Sequence, residues 1–433
     1  MFVASLSLVT SVLLLEVAPP PALRTLTLQQ ATEIALREQP QLRVAHAQSE
    51  AAGARADEAR APLLPQVTGT ATYQRATANV TPRAGSVQAQ VSTSHFTTFD
   101  YWNFGLTANQ LIYDFGQTTG RWRSAQANAE AQQYSERSSR LLAVLSVRTA
   151  YFQARSQKAM ISVARETLGN QEKHLAQIQG FVELGTRPQI DLAQARTDVA
   201  NAKVQLIAAE NAYATAKAQL NQAMGSPQST DYDVVDESLP AVADEDQGID
   251  ALVQSAVAAR PELVVLTKQI EAQEQIVRSV RGNYGPTLGA STGLNDAGRY
   301  LDNLNWNWNA QVTLTWPLFQ GMLVPAQVRE AEANLVAARA QRDATLQQLR
   351  LEVEQARLAV RSAKASLAAI EEALFNAKER LRLAEGRYQT GAGSVIELAD
   401  AQIAMANAAG QRVAADYNLA AARAQLVKAL GRE

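Results

Sequence analysis

The sequence predicts a mainly α-helical chain with membrane-crossing β-strands, organised as two copies of one helix–strand–strand–long helix–helix plan. Three observations predict this fold class. The same anchor residues recur at constant spacing through both halves of the 433 residues. Two long segments keep apolar residues at heptad spacing. Ahead of each long segment, two short stretches alternate apolar and polar residues, which is the period of a strand.

The internal repeat defines the architecture. Pro40 recurs as Pro261 and Pro65 as Pro286, in both cases 221 residues later. From Trp102 onward the offset is 206. The anchor pairs at 206 are Trp102 and Trp308, Gly185 and Gly391, and Gly225 and Gly431. Because the offset changes only once, the first copy carries one longer loop and the copies otherwise stay in register.

The chain begins with an apolar run over 2–15 that has the length of a secretory signal. It is too short to span a membrane, which takes roughly twenty apolar residues. We expect 1–22 to be a signal peptide, although no lysine or arginine precedes Arg24, and the alternative is a frayed apolar tail. The two copies then occupy 23–225 and 249–431, joined by a linker over 226–248.

The elements of each copy follow from prolines, alternation and heptads. In the first copy we expect strands over about 66–74 and 101–113 and helices over 120–184 and 188–224. In the second copy we expect strands over about 286–295 and 305–318 and helices over 324–389 and 394–430.

The long helices carry apolar residues at alternating spacings of three and four, for example from Leu346 to Tyr388. Seams of this length are typical of coiled coils, with ordinary bundle helices as the alternative. The part of the first long helix over 121–183 would extend for ~95 Å, so the shorter helices over 42–61 and 188–224, stacked end to end, would match it. Their junction, the linker over 226–248, has seven Asp and Glu but no Lys or Arg. We interpret it as a solvated acidic collar around the middle of a rod.

Composition excludes several function classes. The chain has no cysteine, so it lacks disulfides, thiolate metal sites and a cysteine nucleophile. Its three histidines are scattered, which leaves little from which to build a metal site or a catalytic dyad. With 40 Lys and Arg against 42 Asp and Glu, nothing favours nucleic-acid binding. We therefore expect neither an enzyme nor a bound cofactor.

Four strands cannot close a barrel with a lumen, and open strand edges are not tolerated in lipid. Strands from several chains would have to be pooled. Aromatic residues flank the strands, as in the girdles of outer-membrane barrels. The predicted girdle consists of Trp102, Tyr113, Phe115, Trp306, Trp308, Trp316 and Phe319. The alternative is a soluble β-layer with an aromatic core.

Four motifs in duplicated order resemble the TolC-type outer-membrane efflux protein family, across nearly everything after the signal. Two are strand-to-helix motifs, Tyr113-Asp114-Phe115-Gly116 and Trp316-Pro317-Leu318-Phe319-Gln320-Gly321. The other two are turns around Gly185 with Ile190-Asp191-Leu192 and around Gly391 with Ile396-Glu397-Leu398.

The resemblance implies a homotrimer in the outer membrane of a Gram-negative bacterium, extending into the periplasm. Its barrel would have twelve strands embedded in outer-membrane lipid, continuous with a tunnel of twelve helices. It would form the exit duct of a tripartite efflux pump or a type I secretion system. Its partners would be a periplasmic adaptor and an inner-membrane RND or ABC transporter. The competing hypothesis is a soluble periplasmic coiled-coil scaffold without a pore.

The resemblance also implies roles for residues at the turns. Glu397 and Asp400 would form stacked acidic rings that favour cations, or else complement the helix dipole. Tyr388, Asp191 and Arg187 would form a gate latch, with Arg187 reaching Glu397 or Asp400 of a neighbour because the family's second-turn arginine is Gly393 here. The exposed turns would dock the adaptor. Their residues are Gly185, Thr186, Gly391 and Ala392.

Overall fold

The structure, a computed structural model, describes residues 24–77, 96, 98–227 and 230–433. The predicted signal peptide and most of the long first-copy loop lie outside the described residues. The helices are α1 (Leu28–Glu38), α2 (Pro40–Arg60), α3 (Gln117–Glu183), α4 (Gln189–Met224), α5 (Ile249–Ala259), α6 (Pro261–Gly282), α7 (Leu323–Gln389) and α8 (Val395–Ala429). The strands are β1 (Arg24–Leu26), β2 (Gln66–Thr77), β3 (Thr98–Tyr113), β4 (Tyr232–Val234), β5 (Thr287–Tyr300) and β6 (Asn303–Thr315).

Two helices of 67 residues, α3 and α7, run the length of the helical part, ~100 Å at 1.5 Å per residue. Along its first half α3 packs against α2 and α6, and along its second half against α4 and α8. In turn, α7 packs against α6 and α8. The result is a helical layer with α2 and α4 at one lateral edge and α7 at the other. None of the described helices is both long and apolar enough to cross a membrane.

The heptad positions form the packed faces of these helices. In α7, Leu349, Val353, Ala356 and Val360 are buried against α5, α6 and α8. Toward the end of the same helix, Leu381, Ala384 and Tyr388 are buried in a second cluster. Alanine at alternate seam positions lets the helix axes approach closely, as the composition indicated.

A four-stranded antiparallel sheet, in the order β2-β3-β5-β6, extends from one end of the helical layer. Within the first copy Gln66 lies opposite Asn109, and within the second Thr287 lies opposite Thr315. These residues are repeat equivalents, because Gln66 and Thr287 are 221 apart and Asn109 and Thr315 are 206 apart. The two copies therefore keep the same strand register, and the outer edges of β2 and β6 pair with no other described strand.

Several predicted bounds need correction. β3 begins at Thr98 rather than 101, and β5 continues to Tyr300 rather than 295 through an irregularity that ends in a tight hairpin. β6 stops at Thr315 instead of 318, because Pro317 has no N–H to donate to a ladder. The four helices with predicted bounds are α3, α4, α7 and α8. Their first residues differ from the prediction by one to three positions, and their last residues by no more than one. The short helices α1 and α5 were not predicted.

From the sequence, the linker over 226–248 is interpreted as a solvated collar, but part of it is packed into the fold. Its short strand β4 pairs in parallel with β1, and the buried Tyr151 hydroxyl donates to the carbonyls of Leu26 and Val235. Glu245 is buried between Arg423 at 3.0 Å and Lys364 at 2.6 Å. Cations supplied by the long helices thus neutralise acids that have no basic neighbour in sequence.

The same network shifts the titration of the linker acids. Burial alone would raise the pKa of Asp233, but hydrogen bonds from Lys158 and Tyr213 outweigh it and hold the pKa below its usual value. Burial likewise opposes ionisation of Glu245, yet its hydrogen bonds from Arg423 and Lys364 lower the pKa. Both acids are therefore held as carboxylates that tie the linker to the long helices.

Candidate functional site

The tips of the two helical hairpins have the same geometry. At the first, Gly185 has φ +72° and Thr186 N–H donates to the Phe181 carbonyl at 2.9 Å. At the second, Gly391 has φ +75° and Ala392 N–H donates to the Arg387 carbonyl at 2.9 Å. Each is a glycine C-cap of the Schellman type, in which the positive φ excludes most other residues. Both turns are exposed, which is compatible with the predicted docking role.

The three predicted latch residues converge between the hairpins. Arg187 lies 3.9 Å from the carboxylate of Asp191, and its guanidinium carbon lies 5.5 Å from the ring centroid of Tyr388. Arg187 and Asp191 belong to the first hairpin and Tyr388 to α7, so the cluster links the two hairpins within one chain. The hydroxyl of Tyr388 is buried without a hydrogen-bond partner in the described residues, and burial raises its pKa.

The two predicted ring acids have different surroundings. Glu397 lies 3.0 Å from Arg387 of the same chain, a residue that sequence reasoning missed. Asp400 is exposed and has no ion pair with any other described residue. The helix N-terminus is capped by Ser394, whose hydroxyl accepts from the N–H of Glu397 at 3.1 Å. The acids are thus not themselves the cap, and Asp400 is the freer charge.

One further residue at this end, His174, was given no role in the sequence analysis. Its ring meets that of Tyr388 edge-on at 5.6 Å between centroids, and its Nδ1 is buried without a described partner. It lies between two cavities of about 490 and 290 Å³. Burial lowers the pKa of His174, opposed by the nearby carboxylate of Asp198.

At the opposite end of the molecule, the sheet has one apolar and one polar face. In β6 the two sets of alternating residues separate cleanly. One face carries Trp306, Trp308, Ala310, Val312 and Leu314, and the other Asn305, Asn307, Asn309, Gln311 and Thr313. Cross-strand pairs extend the apolar face across the whole sheet. From β6 to β2, the residues that lie opposite one another are Trp308, Leu294, Leu106 and Gly69. Val312 is 68% exposed in the single chain, so none of the described residues covers the apolar face at this position.

The predicted aromatic residues divide into two groups at the two ends of this face. Trp102, Trp306 and Trp308 lie toward the far end, where Tyr73 joins Trp102 at 4.5 Å between ring centroids. Tyr113, Phe115, Trp316 and Phe319 lie where the strands meet the helices. Ten residues separate Trp306 from Trp316, ~34 Å along a strand, which a tilt of about 45° reduces to ~25 Å. This equals the apolar band of outer-membrane barrels.

The strand-to-helix turns keep the same backbone in both copies with different residues. Phe115 and Gly116 have φ +53° and +86°, and their repeat equivalents Gly321 and Met322 have +60° and +68°. Asp114 stabilises the first turn by accepting from the N–H of Gly116 at 3.2 Å and of Thr118 at 2.6 Å. These turns set the direction of the long helices relative to the sheet.

A sheet with one apolar and one polar face, joined through duplicated turns to long helical hairpins, is the arrangement expected of an outer-membrane protein. The chain belongs to the outer membrane efflux protein family, whose sequence model matches residues 31–226 and 252–432. It is 24% identical to the outer membrane protein TolC of Escherichia coli over 423 residues, covering 93% of this chain and 82% of that protein.

Two further comparisons agree. The chain is 26% identical over 250 residues to a probable efflux pump outer membrane protein, SepC of Pseudomonas putida, covering 57% of this chain but only 49% of that protein. The fold is similar to the outer membrane protein VceC of Vibrio cholerae, with a TM-score of 0.80, 20% identity and coverage of 94% of this chain and 96% of that one. The protein is accordingly an outer-membrane efflux component, and it is a transport conduit rather than an enzyme.

Proposed function

We propose that three copies of the chain form a twelve-stranded barrel in the outer membrane, continuous with a twelve-helix tunnel into the periplasm. The observation that carries this proposal is the sheet, which is apolar on one face and polar on the other and whose edge strands β2 and β6 lack an outer partner among the described residues. β2 and β6 run antiparallel, so β6 of one chain can pair with β2 of the next and remove every edge. The apolar face then contacts lipid and the polar face lines water.

The helical edges support the same assembly. On α4, Val204 and Ile207 are each 65% exposed. Their repeat equivalents on α8 are Gly410 and Val413: Gly410 lies against Met160 of α3, and Val413 is buried. Because α7 is the repeat equivalent of α3, we infer that α7 of a neighbouring chain covers Val204 and Ile207. Both the strands and the helices of one chain thus lack a partner that a second copy supplies.

Such a tube is a passive exit duct, and substrate choice falls to the proteins that feed it. The name of SepC, a probable efflux pump outer membrane protein, supports a role in a tripartite efflux pump, with a periplasmic adaptor and an inner-membrane RND or ABC transporter as partners. The exposed tips carry Ile190 and Ile396, each 73% exposed, beside the small turn residues. This pairing of apolar and small residues suits tip-to-tip docking of an adaptor. Membership of an outer-membrane family disfavours the soluble scaffold.

Reconstitution tests the duct. Purified protein in detergent should have the mass of a trimer by light scattering, and it should conduct ions across planar lipid bilayers. In cells lacking the chain, a fluorescent efflux substrate should accumulate, and the wild-type gene should restore its export. A monodisperse monomer in detergent-free buffer, with tryptophan fluorescence typical of buried indoles, would contradict the proposal.

We also propose that the tip cluster is a gate. Arg187, Asp191 and Tyr388 link the hairpins when the gate is closed, so Arg187→Gln and Asp191→Asn should raise the open probability in bilayers. Lys203→Gln is the matched control, because the ion pair that Lys203 forms among the described residues is with Glu172 of the same hairpin, at 4.0 Å. Conductance unchanged by either latch variant would refute the latch.

The acidic rings are tested by selectivity. Because Arg387 already neutralises Glu397, most of the ring's field should come from Asp400. The reversal potential in a salt gradient should therefore move toward zero for Asp400→Asn, whereas the double variant Glu397→Gln with Arg387→Gln, which removes both members of the pair, should change it much less. Equal shifts would mean that Arg387 turns away from Glu397 in the trimer.

A further inference from the structure

A cavity of about 680 Å³ lies where the apolar sheet face meets the helices. Its walls are the side chains of Phe115, Tyr284, Pro286 and Trp316, with Arg278 and Arg281 along one side. We propose that this rim cavity binds the phosphate of a membrane glycerophospholipid, with the two arginines holding the headgroup. The proposal rests on the membrane placement argued above, because it needs the rim to lie at the lipid surface.

The arginines supply the charge complementarity. They are one turn apart near the end of α6, and a guanidinium matches phosphate oxygens with two parallel donors. Arg281 also pairs with Glu332 on α7. Arg278 is exposed and has no ion pair among the described residues. Arg278 therefore carries an uncompensated charge toward the cavity, while Arg281 shares its donors with Glu332.

The depth of the arginines suits a phosphate layer. Arg278 precedes the end of α6 at Gly282 by four residues, ~6 Å of helix rise. Each headgroup layer of a bilayer is ~5–8 Å thick, from the difference between total and hydrocarbon thickness. Trp316 continues the alternation of the apolar face one residue beyond β6, which places its indole at the hydrocarbon boundary. The guanidinium groups then lie in the headgroup layer.

The neighbouring surface suits acyl chains. A second cavity of about 290 Å³ shares Tyr284 and Trp316 with the first. Beside it, Leu318 is 81% and Phe319 80% exposed, an apolar patch that water would not favour. The indole N–H of Trp316 donates to the Tyr284 carbonyl at 3.1 Å and fixes the wall between the cavities. A lipid, rather than a free anion, uses both the charged and the apolar parts.

Lipid binding to the detergent-purified trimer tests the proposal. Native mass spectrometry with added phosphatidylglycerol should detect bound lipid, and Arg278→Gln should weaken its apparent affinity about fivefold, as should Arg281→Gln. Arg278→Lys, which keeps the charge without the fork, should fall between wild type and Arg278→Gln. Arg43→Gln is the control, since Arg43 is an exposed arginine near the start of α2, and the sheet follows the other end of that helix.

The outcomes separate the hypotheses. Equal lipid binding by wild type, Arg278→Gln and Arg43→Gln would overturn the rim site. Displacement of the lipid by millimolar inorganic phosphate would also overturn it, because the site would then be one for free anions. All variants should still form conducting trimers. A wild-type protein that fails to form trimers would instead refute the proposed function, so the two failures are distinguishable.

Discussion

The repeat predicts the strand register of a seam that a single chain does not contain. Between the copies, Leu106 of β3 lies opposite Leu294 of β5. Moving each residue to its repeat equivalent places Val312 of β6 opposite Tyr73 of β2 in the neighbouring chain. The adjacent pair is then Thr313 and Thr72, both on the polar face. We predict that cysteines at these two positions form a disulfide between chains.

The geometry fixes the expected contrast. Residues directly opposite in an antiparallel pair have Cα atoms ~4.5–5.5 Å apart, within the usual disulfide range of ~4.4–6.8 Å. If the second cysteine is placed at position 70 instead of position 72, the offset along the strand is ~6.8 Å. The two Cα atoms are then ~8.4 Å apart, which is too far for a disulfide. The variant Thr313→Cys with Thr72→Cys should therefore crosslink efficiently, and Thr313→Cys with Thr70→Cys should not.

The assay is a non-reducing denaturing gel of outer membranes after mild oxidation. The natural chain has no cysteine, so every crosslink must come from the introduced pair. Covalent trimers that revert to monomers with reductant are expected, and each single-cysteine variant should remain monomeric. Preferential crosslinking of the Thr70 pair would show a shifted register. Trimers that conduct but crosslink through neither pair would refute the inference from repeat symmetry.

Three further predictions concern the helical part. Ile207→Asp should abolish the trimer mass in light scattering, because a carboxylate would be buried against α7 of the neighbouring chain. The control Ile207→Leu should remain trimeric, and a fully trimeric Ile207→Asp would exclude that contact. Glu245→Gln should lower the free energy of unfolding at pH 7 by about 2–3 kcal/mol, less than for a fully enclosed pair because Lys364 is partly exposed. The pKa of Glu245 in the folded protein lies below its unfolded value near 4.5. Its contribution to the free energy of unfolding is therefore complete above about pH 4.5 and is lost as the pH falls through the folded pKa. Denaturation curves of the variant and the wild type should accordingly converge in acid. Burial lowers the pKa of His174 in the folded protein, so its protonation should destabilise the tip as the pH falls below about 6.5. Hydrogen exchange of backbone amides at the tip, corrected for intrinsic rate, should therefore be faster at pH 5.5 than at pH 7.5. The other titratable residues that line the two cavities beside its ring are Lys173, Asp191, Asp198, Glu385 and Tyr388. His174→Phe should remove this pH dependence, and a dependence that survives would assign it to one of those groups.

Features with a period were predictable from the sequence, and features made by distant pairing were not. Heptads and alternation each repeat a physical requirement many times, so the long helices and the four sheet strands could be inferred. β1 and β4 have three residues each, too few for a pattern. The partners of Glu245 lie on α7 and α8, more than a hundred residues away. Arg387, which forms an ion pair with Glu397, follows no motif.

The strand-to-helix turns show where a residue-based alignment of the copies fails. Aligning Gly116 with Gly321 would shift the copies by one residue, yet the backbone aligns Phe115 with Gly321 and Gly116 with Met322. A left-handed conformation costs a non-glycine residue roughly 1–2 kcal/mol, so each turn bears that cost once, at a different position. In the first copy the ring of Phe115 lies against Gly285, where a β-carbon would be 2.3 Å from the ring, and Asp114 adds two hydrogen bonds. What the duplication preserves is thus a pair of left-handed residues that turns the chain from sheet to helix. Glycine is one of several ways to supply it.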